Sequence, residues 1–159
     1  MQITPPVRVK RTYTQSLVAP PASVFPLLCP VRETEWANGW NPRQVVTASG
    51  YVEADCVFVM PGDPQDSIWF VTRWDPQRFF LEFVKVTPGF TVGKIEIQLR
   101  DKDSHGTLAD ISYSYTALSE AGVKFVQDFT PEYYAAFMRE WESELNYFLQ
   151  TGLLKAKSI

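Results

Sequence analysis

The longest helical pattern in the chain is residues 130–152, TPEYYAAFMREWESELNYFLQTG. Thr130 is a suitable N-cap, Pro131 suits the first helical position and Gly152 suits the end. The apolar side chains at helical spacing are Tyr134, Met138, Trp141, Leu145 and Phe148. They form one stripe. We therefore predict a helix of about twenty residues, about 30 Å long, with one face suited to covering a sheet.

The residues before this helix have the alternation of β-strands, and Pro- or Gly-containing turns separate the segments. The clearest alternation lies in residues 107–117, where Ile111, Tyr113 and Tyr115 share one face. The predicted strands are residues 8–18, 44–49, 55–60, 68–74, 79–86, 90–100 and 107–117. Short connections favour an antiparallel meander over a parallel sheet.

Three short helical segments are predicted besides the long helix. Residues 22–28 have helical spacing after Pro20-Pro21, and residues 31–36 form one more turn. A further short helix spans residues 120–128. Because strands and helices are segregated along the chain, the predicted class is α+β. Residues 1–159 contain no repeat or linker, so we predict a single domain with residues 1–7 as an extended terminus.

Composition excludes several classes of protein. The net charge is −3 and the pI is near 5.2, which argues against a nucleic-acid partner. No run of 18 apolar residues exists, so no membrane span is predicted, and the first twenty residues lack the pattern of a signal peptide. Cys29 and Cys56 lie among apolar residues, and we expect two buried thiols in a cytoplasmic protein.

The order of elements from about residue 8 to residue 152 resembles the START-like, or Bet v 1-like, superfamily. More narrowly, VFPLLCPVRE at residues 24–33 and IWFV at residues 68–71 resemble bacterial members. The resemblance implies the helix-grip fold, in which a curved seven-stranded antiparallel sheet wraps a long C-terminal helix. Two short helices then lie between strands 1 and 2. It also implies a cavity between sheet and helix that accepts an apolar or amphipathic ligand.

The superfamily contains carriers, hormone receptors, cyclases and oxygenase domains, so the resemblance leaves function open. The oxygenase domains hold iron with two His and a carboxylate, whereas this chain has the single His105. We therefore expect no metal and no cofactor. The hormone receptors' Ser-Gly-Leu-Pro-Ala gate and His-Arg-Leu latch do not occur in this sequence.

The candidate ligand-binding residues are mostly aromatic. Trp36 and Trp40 flank a loop that the resemblance places near a cavity entrance, where they either line the mouth or fill the end of the sheet. The helix residues either line the pocket or belong to the core. The whole predicted set is Trp36, Trp40, Phe58, Trp69, Arg73, Glu82, Tyr113, Tyr115, Tyr134, Phe137, Met138 and Trp141.

Arg73 and Glu82 are the most interesting polar candidates, because they lie on adjacent predicted strands. An inward pair would orient a polar head group, whereas an outward pair would be an ordinary surface salt bridge. His105 in a polar loop is expected to be solvated. Glu33 and Glu35 are candidates for acid–base work, although capping or solvation is more common near a helix end.

Three functional hypotheses remain open. The leading one is binding or transport of a small hydrophobic ligand without catalysis. The alternative is an enzyme of the polyketide cyclase or dehydratase type that uses cavity acid and base residues. The third is a protein-interaction module with a collapsed cavity and exposed aromatics on its outer face. A homodimer is compatible with each of them.

Overall fold

The computed structural model describes residues 1–103 and 105–156. The strands are β1 (Arg8–Leu17), β2 (Gln44–Val46), β3 (Val57–Met60), β4 (Ser67–Asp75), β5 (Phe80–Thr87), β6 (Thr91–Asp101) and β7 (Thr107–Ala117). The α-helices are α1 (Pro21–Val24), α2 (Glu120–Asp128) and α3 (Pro131–Thr151). Two 3-10 turns, Phe25–Leu27 and Arg32–Glu35, follow α1 and complete the helical insertion between β1 and β2.

Within the described residues the seven strands form one antiparallel sheet in the order β1-β7-β6-β5-β4-β3-β2. Strands β2 to β7 are the predicted meander, and β1 lies beside β7 with Arg8 opposite Thr116 and Leu17 opposite Thr107. The α+β class and the helix-grip arrangement are confirmed. Strand β2 is shorter than predicted, because a turn begins right after it: the Thr47 hydroxyl donates to the Tyr51 carbonyl and the Ala48 N–H donates to Glu53, both at 2.6 Å.

Helix α3 begins and ends as its sequence predicts. The Thr130 side chain accepts a hydrogen bond from the backbone N–H of Tyr133 at 3.1 Å, and Gly152 adopts the left-handed conformation at the end. The apolar stripe faces the sheet, with Tyr134, Met138 and Leu145 buried.

Hydrogen bonds attach α3 to the β1–β7 side of the sheet. The Gln15 side chain donates to the Met138 carbonyl at 2.9 Å, and the Tyr134 hydroxyl donates to the Ile111 carbonyl at 2.6 Å. Farther along the helix, the Asn146 side chain donates to the Ser16 carbonyl at 2.9 Å. The helix is therefore held at one side of the curved sheet, and a space remains between α3 and strands β4 to β6.

Helix α2 packs closely against the β5–β6 turn because of a glycine. A Cβ atom at Gly122 would overlap the carbonyl oxygen of Phe90. The α2 side chains Phe125 and Val126 and the following Phe129 then pack on the core. This places aromatic rings beside the end of the space under α3.

The outer face of the sheet carries an apolar patch on strands β2 to β6. Its members are Val46, Val57, Val59, Ile68, Phe70, Val84, Val86 and Val92. Ile68 is 45% exposed and Phe70 is 38% exposed. The two cysteines are buried free thiols, as predicted. In the part of the chain that the structure describes, no helix has the length and apolarity that crossing a membrane requires.

Candidate functional site: a two-part cavity under the C-terminal helix

A cavity of about 220 Å³ separates α3 from the inner face of the sheet. We call it the first compartment. Its wall includes Glu33 and Trp40 from the helical insertion and Trp141 from α3. The other lining residues are Ala37, Asn38, Gly39, Trp69, Phe83, Ile95, Ile97, Tyr113, Phe137, Glu140 and Glu144.

A second compartment of about 310 Å³ extends toward the β3–β4 loop and α2. The two compartments share four lining residues: Trp40, Trp69, Tyr113 and Phe137. We call these four residues the aromatic waist, because they border both compartments. The predicted space between sheet and helix therefore consists of two compartments with aromatic residues between them.

The waist rings are held in place by their own contacts. Trp40 packs edge-on against Trp69 with ring centroids 6.0 Å apart, and Tyr113 packs edge-on against Phe137 at 5.9 Å. The Trp40 indole N–H donates to the Pro30 carbonyl at 2.9 Å, and that of Trp69 donates to the Ser67 hydroxyl at 3.0 Å. Since both N–H groups are used internally, these two indoles present apolar surface to the cavity.

Glu33 is a carboxylate in the first compartment. It lies in the second 3-10 turn and is 5% exposed. No described residue donates a hydrogen bond to its side chain or forms an ion pair with it, and burial alone raises its pKa from 4.5 to about 8. A carboxyl group with a pKa of about 8 is mostly protonated at neutral pH, and it can donate or accept a proton close to that pH.

Tyr113 lines both compartments. The described residues offer its hydroxyl no hydrogen bond, and burial is the largest of the causes that raise its pKa well above the ordinary value. The charge of Glu33 contributes to the same shift, which places the two groups in one electrostatic neighbourhood. The Tyr113 hydroxyl is therefore a neutral group that remains free to bond a ligand.

Asn38 and Glu144 line the first compartment where the insertion meets α3. The Asn38 backbone N–H donates to Glu144 Oε2 at 3.1 Å, and its side-chain amide donates to Oε1 at 2.7 Å. The same amide donates to the Lys155 carbonyl at 2.8 Å. Glu144 is buried at 7% exposure and is satisfied by these bonds, so we assign it a structural role.

Lys85 is a cation on the inner face of the sheet, in the wall of the second compartment. Its Nζ atom lies 5.2 Å from the Trp69 ring centroid and 5.7 Å from that of Tyr115. Burial lowers its pKa. An ammonium group between two aromatic rings keeps part of its electrostatic stabilisation through cation–π interaction.

The predicted site residues fall into three groups. Those that line the cavity are Trp40, Trp69, Tyr113, Tyr115, Phe137 and Trp141. Those that belong to the closed core are Trp36, Phe58, Tyr134 and Met138. Those on the outer face are Arg73 and Glu82. The helix stripe is thus divided between core and pocket.

The placement of Arg73 and Glu82 corrects the inward alternative. They are cross-strand partners, but a bulge between Val71 and Arg73 lets Thr72 and Arg73 together oppose Glu82. The bulge moves Arg73 off the face of Trp69 and Val71, and its side chain is 53% exposed. The two residues also do not pair with each other.

Each of these side chains has another ionic partner on the outer face. Arg73 pairs with Asp75 at 3.7 Å, whereas Glu82 pairs with Lys94 at 3.3 Å. The structure fits the outward alternative in location, although Arg73 and Glu82 form no salt bridge with each other. Neither residue lines either compartment.

Three polar residues of the cavity wall, Glu33, Lys85 and Glu144, are absent from the predicted ligand-binding set. The sequence predicts Glu33 as one of two acid–base candidates for which capping or solvation is the more common role, and it does not single out Lys85 or Glu144. The sequence pattern could have indicated an inward-facing Lys85, since Lys85 follows Leu81 and Phe83 at alternate positions of the same strand. By contrast, the exposed His105 lies outside both compartments, and its backbone N–H donates to Asp103 at 2.9 Å. No metal-ligating group of three or more side chains occurs among residues 1–103 and 105–156.

Structural comparison finds the same fold in distant proteins. Norcoclaurine synthase from Thalictrum flavum, in complex with dopamine and hydroxybenzaldehyde, has a TM-score of 0.64 at 12% identity, covering 96% of this chain and 91% of that one. XoxI from Bacillus cereus has a TM-score of 0.65 at 11% identity, with coverages of 89% and 96%. CalU16 from Micromonospora echinospora has a TM-score of 0.53 at 20% identity, with coverages of 90% and 96%.

No protein-family model and no curated protein matches the sequence. At these identities the likeness concerns the fold. The chain therefore has the START-like, or Bet v 1-like, helix-grip fold. Together with the cavity, this defines the class as a helix-grip protein with a ligand-sized space between sheet and C-terminal helix.

Proposed function

We propose that this protein binds a small apolar or amphipathic ligand in the cavity under α3, without catalysis of its own. One observation carries the proposal: two compartments share the aromatic waist residues in their walls, and each contains a charged residue type that forms no ion pair with another described residue. Glu33 is the polar group of the first compartment and Lys85 that of the second. Ligand pockets have this composition, with mostly apolar walls and a few placed polar groups.

Burial of apolar ligand surface provides the affinity. Each Å² of ligand surface removed from water contributes about 25 cal/mol, less the cost of ordering ligand and side chains. The shared fold supports the binding part of the proposal, because the norcoclaurine synthase structure is a complex with dopamine and hydroxybenzaldehyde. Those two molecules are small and aromatic, which suits walls built from Trp40, Trp69 and Phe137.

Binding of the neutral dye Nile red tests this proposal. The dye brightens in an apolar site and carries no charge that a lysine would attract. We expect saturable binding to the wild type and a loss of at least about tenfold in affinity in Phe137→Glu, because the bound dye would have to cover and desolvate the new carboxylate. Phe137 is 39% exposed, so the variant should fold.

The matched control is Arg139→Glu, which places the same residue on an exposed position of the same helix and outside both compartments. We expect it to bind the dye as the wild type does. A wild type that binds no Nile red would contradict the proposed function. Equal losses in the two variants would place the dye outside the cavity.

Glu33 favours a second candidate function, an enzyme that moves protons in the cavity. A desolvated carboxylate with a pKa near 8 is poised for general acid–base chemistry at neutral pH. The cyclase or dehydratase hypothesis needs such a group beside a hydroxyl donor, and Tyr113 shares the compartment. The observation identifies a competent group without identifying a substrate.

A substrate-independent assay can test this candidate. Nitrobenzisoxazole loses its ring C–H proton to a base, its N–O bond breaks, and a coloured cyanophenolate forms. If Glu33 acts as a base, the rate should rise as the pH passes about 8, where the carboxyl ionises. Glu33→Gln should abolish the rate, whereas Glu35→Gln should retain it, because Glu35 is exposed and pairs with Arg32 at 2.6 Å. A rate that Glu33→Gln leaves unchanged would exclude Glu33 as the base.

The interaction-module hypothesis joined a collapsed cavity to an exposed outer face. The two compartments weigh against a collapsed cavity, whereas the apolar patch on strands β2 to β6 fits an exposed interaction face. A homodimer, a cytoplasmic location and the absence of nucleic-acid partners stay predictions.

A further inference from the structure

Lys85 occupies one transverse row of the sheet together with Trp69, Gly93 and Tyr115. Trp69 is opposite Lys85, Lys85 is opposite Gly93, and Gly93 is opposite Tyr115. All four positions face the cavity side. The cation therefore has an aromatic neighbour on one side and a glycine on the other, with a second aromatic residue beyond the glycine.

Gly93 lets Tyr115 reach across its strand toward Lys85. A Cβ atom at position 93 would lie 2.8 Å from one carbon of the Tyr115 ring and 3.0 Å from another. Because no side chain occupies that place, the Tyr115 ring lies over Gly93 with its centroid 5.7 Å from Lys85 Nζ. The row thus positions the ammonium group between two rings at the wall of the second compartment.

Lys85 has no anionic partner among the residues that the structure describes. The ion pairs of the described residues do not include it, and they do include its outward-facing neighbours Glu82 and Lys94. Asp63 is the only acidic residue among the described residues in the wall of this compartment. It lies on the exposed β3–β4 loop and forms no ion pair with Lys85. A cation in a cavity wall without a counter-ion is a binding group for an anion.

Two hydroxyl groups accompany Lys85 in the same wall. Ser67 and Thr87 are buried at 5% exposure each, and both line the second compartment. The Ser67 oxygen accepts from Trp69, so its own O–H remains available to donate. A carboxylate needs several donors to replace its lost hydration, and an ammonium with two hydroxyls can supply them.

We infer that the ligand is an apolar acid whose carboxylate binds Lys85 in the second compartment while its apolar body extends through the aromatic waist toward Glu33. This inference rests on the proposed function and names its ligand class. The protonated state of Glu33 at neutral pH agrees with it, because a neutral group at the far end does not repel an anion.

The experiment compares decanoate with decanol as competitors of bound Nile red at neutral pH. The two molecules have the same chain and differ in head group. In the wild type, decanoate should displace the dye at concentrations about ten- to a hundredfold lower than decanol, the range of one charge-assisted hydrogen bond. In Lys85→Met the preference should disappear or reverse, because a carboxylate buried without a cation is unfavourable.

Lys94→Met is the matched control, since it removes the same charge from the outer face of the adjacent strand. It should keep the wild-type preference for decanoate. The inference is overturned if wild type and dye associate normally but decanol competes as well as decanoate, or if Lys85→Met still prefers the acid. A wild type that binds no dye removes the proposed function and this inference with it.

Discussion

The hydroxyl of Tyr134 donates a 2.6 Å hydrogen bond to the backbone carbonyl of Ile111, and this bond joins α3 to the centre of β7. Tyr134 is 2% exposed, so the bond lies in the closed core. Tyr113, two residues along the same strand from Ile111, lines the cavity, and its hydroxyl meets no described partner. Two tyrosines with the same chemistry thus have different roles.

A pair of Tyr→Phe substitutions should separate those roles. Tyr134→Phe should lower the free energy of unfolding by about 1 kcal/mol, because it removes one buried hydrogen bond. Tyr113→Phe should change stability by less than about 0.5 kcal/mol. Urea unfolding of both variants measures the difference. Equal losses would contradict the assignment of Tyr134 to the core and Tyr113 to the cavity wall.

Glu33 should make stability depend on pH. Its pKa is raised in the folded state, so the stability of the protonated form is fully present below about pH 4.5 and is lost as the pH rises through about 8. The loss over that window is on the order of 3–5 kcal/mol, at 1.36 kcal/mol per pKa unit.

The measurement is urea unfolding at about pH 5 and about pH 9. The decline between the two conditions should be smaller in Glu33→Gln than in the wild type. Glu35→Gln, two residues away and exposed, controls for the loss of a carboxyl group. A decline that is the same in wild type and Glu33→Gln would show that Glu33 does not titrate abnormally.

Gly93→Ala should destabilise the protein by about 1–3 kcal/mol. Tyr115 cannot retreat from the new methyl group, because its ring packs edge-on against Phe125 at 4.9 Å and against Phe129 at 5.1 Å. In a double-mutant cycle with Tyr115→Leu, the second change should relieve part of the first. Strictly additive losses in thermal unfolding would argue that the methyl group meets something other than Tyr115.

Glu144→Gln should lower the free energy of unfolding by about 1–3 kcal/mol. One of the two N–H groups that Asn38 donates to Glu144 would then face an amide N–H₂ in place of a carboxylate oxygen. Glu140→Gln, one turn earlier on α3 and exposed, should have little effect. Chemical denaturation of the two variants makes the comparison. If Glu140→Gln is as harmful as Glu144→Gln, the bond between insertion and helix is not the cause.

Most of the secondary structure was predictable because its causes are local. The boundaries of β7 and α2 match the predicted residues 107–117 and 120–128. For α3, Thr130, Pro131 and Gly152 provide the start and stop signals within the helix itself. Strand alternation and helix capping depend on neighbours a few residues away, which the sequence displays directly.

Arg73 shows where that reasoning fails. Regular alternation placed it on the face of Trp69 and Val71, but the bulge after Val71 turns it outward. The bulge adds one residue to one strand, and a single added residue reverses the face of everything that follows. Nothing in the local pattern of Thr72 and Arg73 signals it.

The sequence alone was enough for the sheet, for the long amphipathic helix and for their order along the chain, because period-2 and period-3.6 patterns are local properties. Only the tertiary structure decided which rings of the α3 stripe close the core and which border a space. It also decided that Glu33 and Lys85, ordinary surface residue types, face that space. Burial and the electrostatics that follow from it depend on contacts between residues far apart in the chain, such as Asn38 with Glu144 and Tyr134 with Ile111.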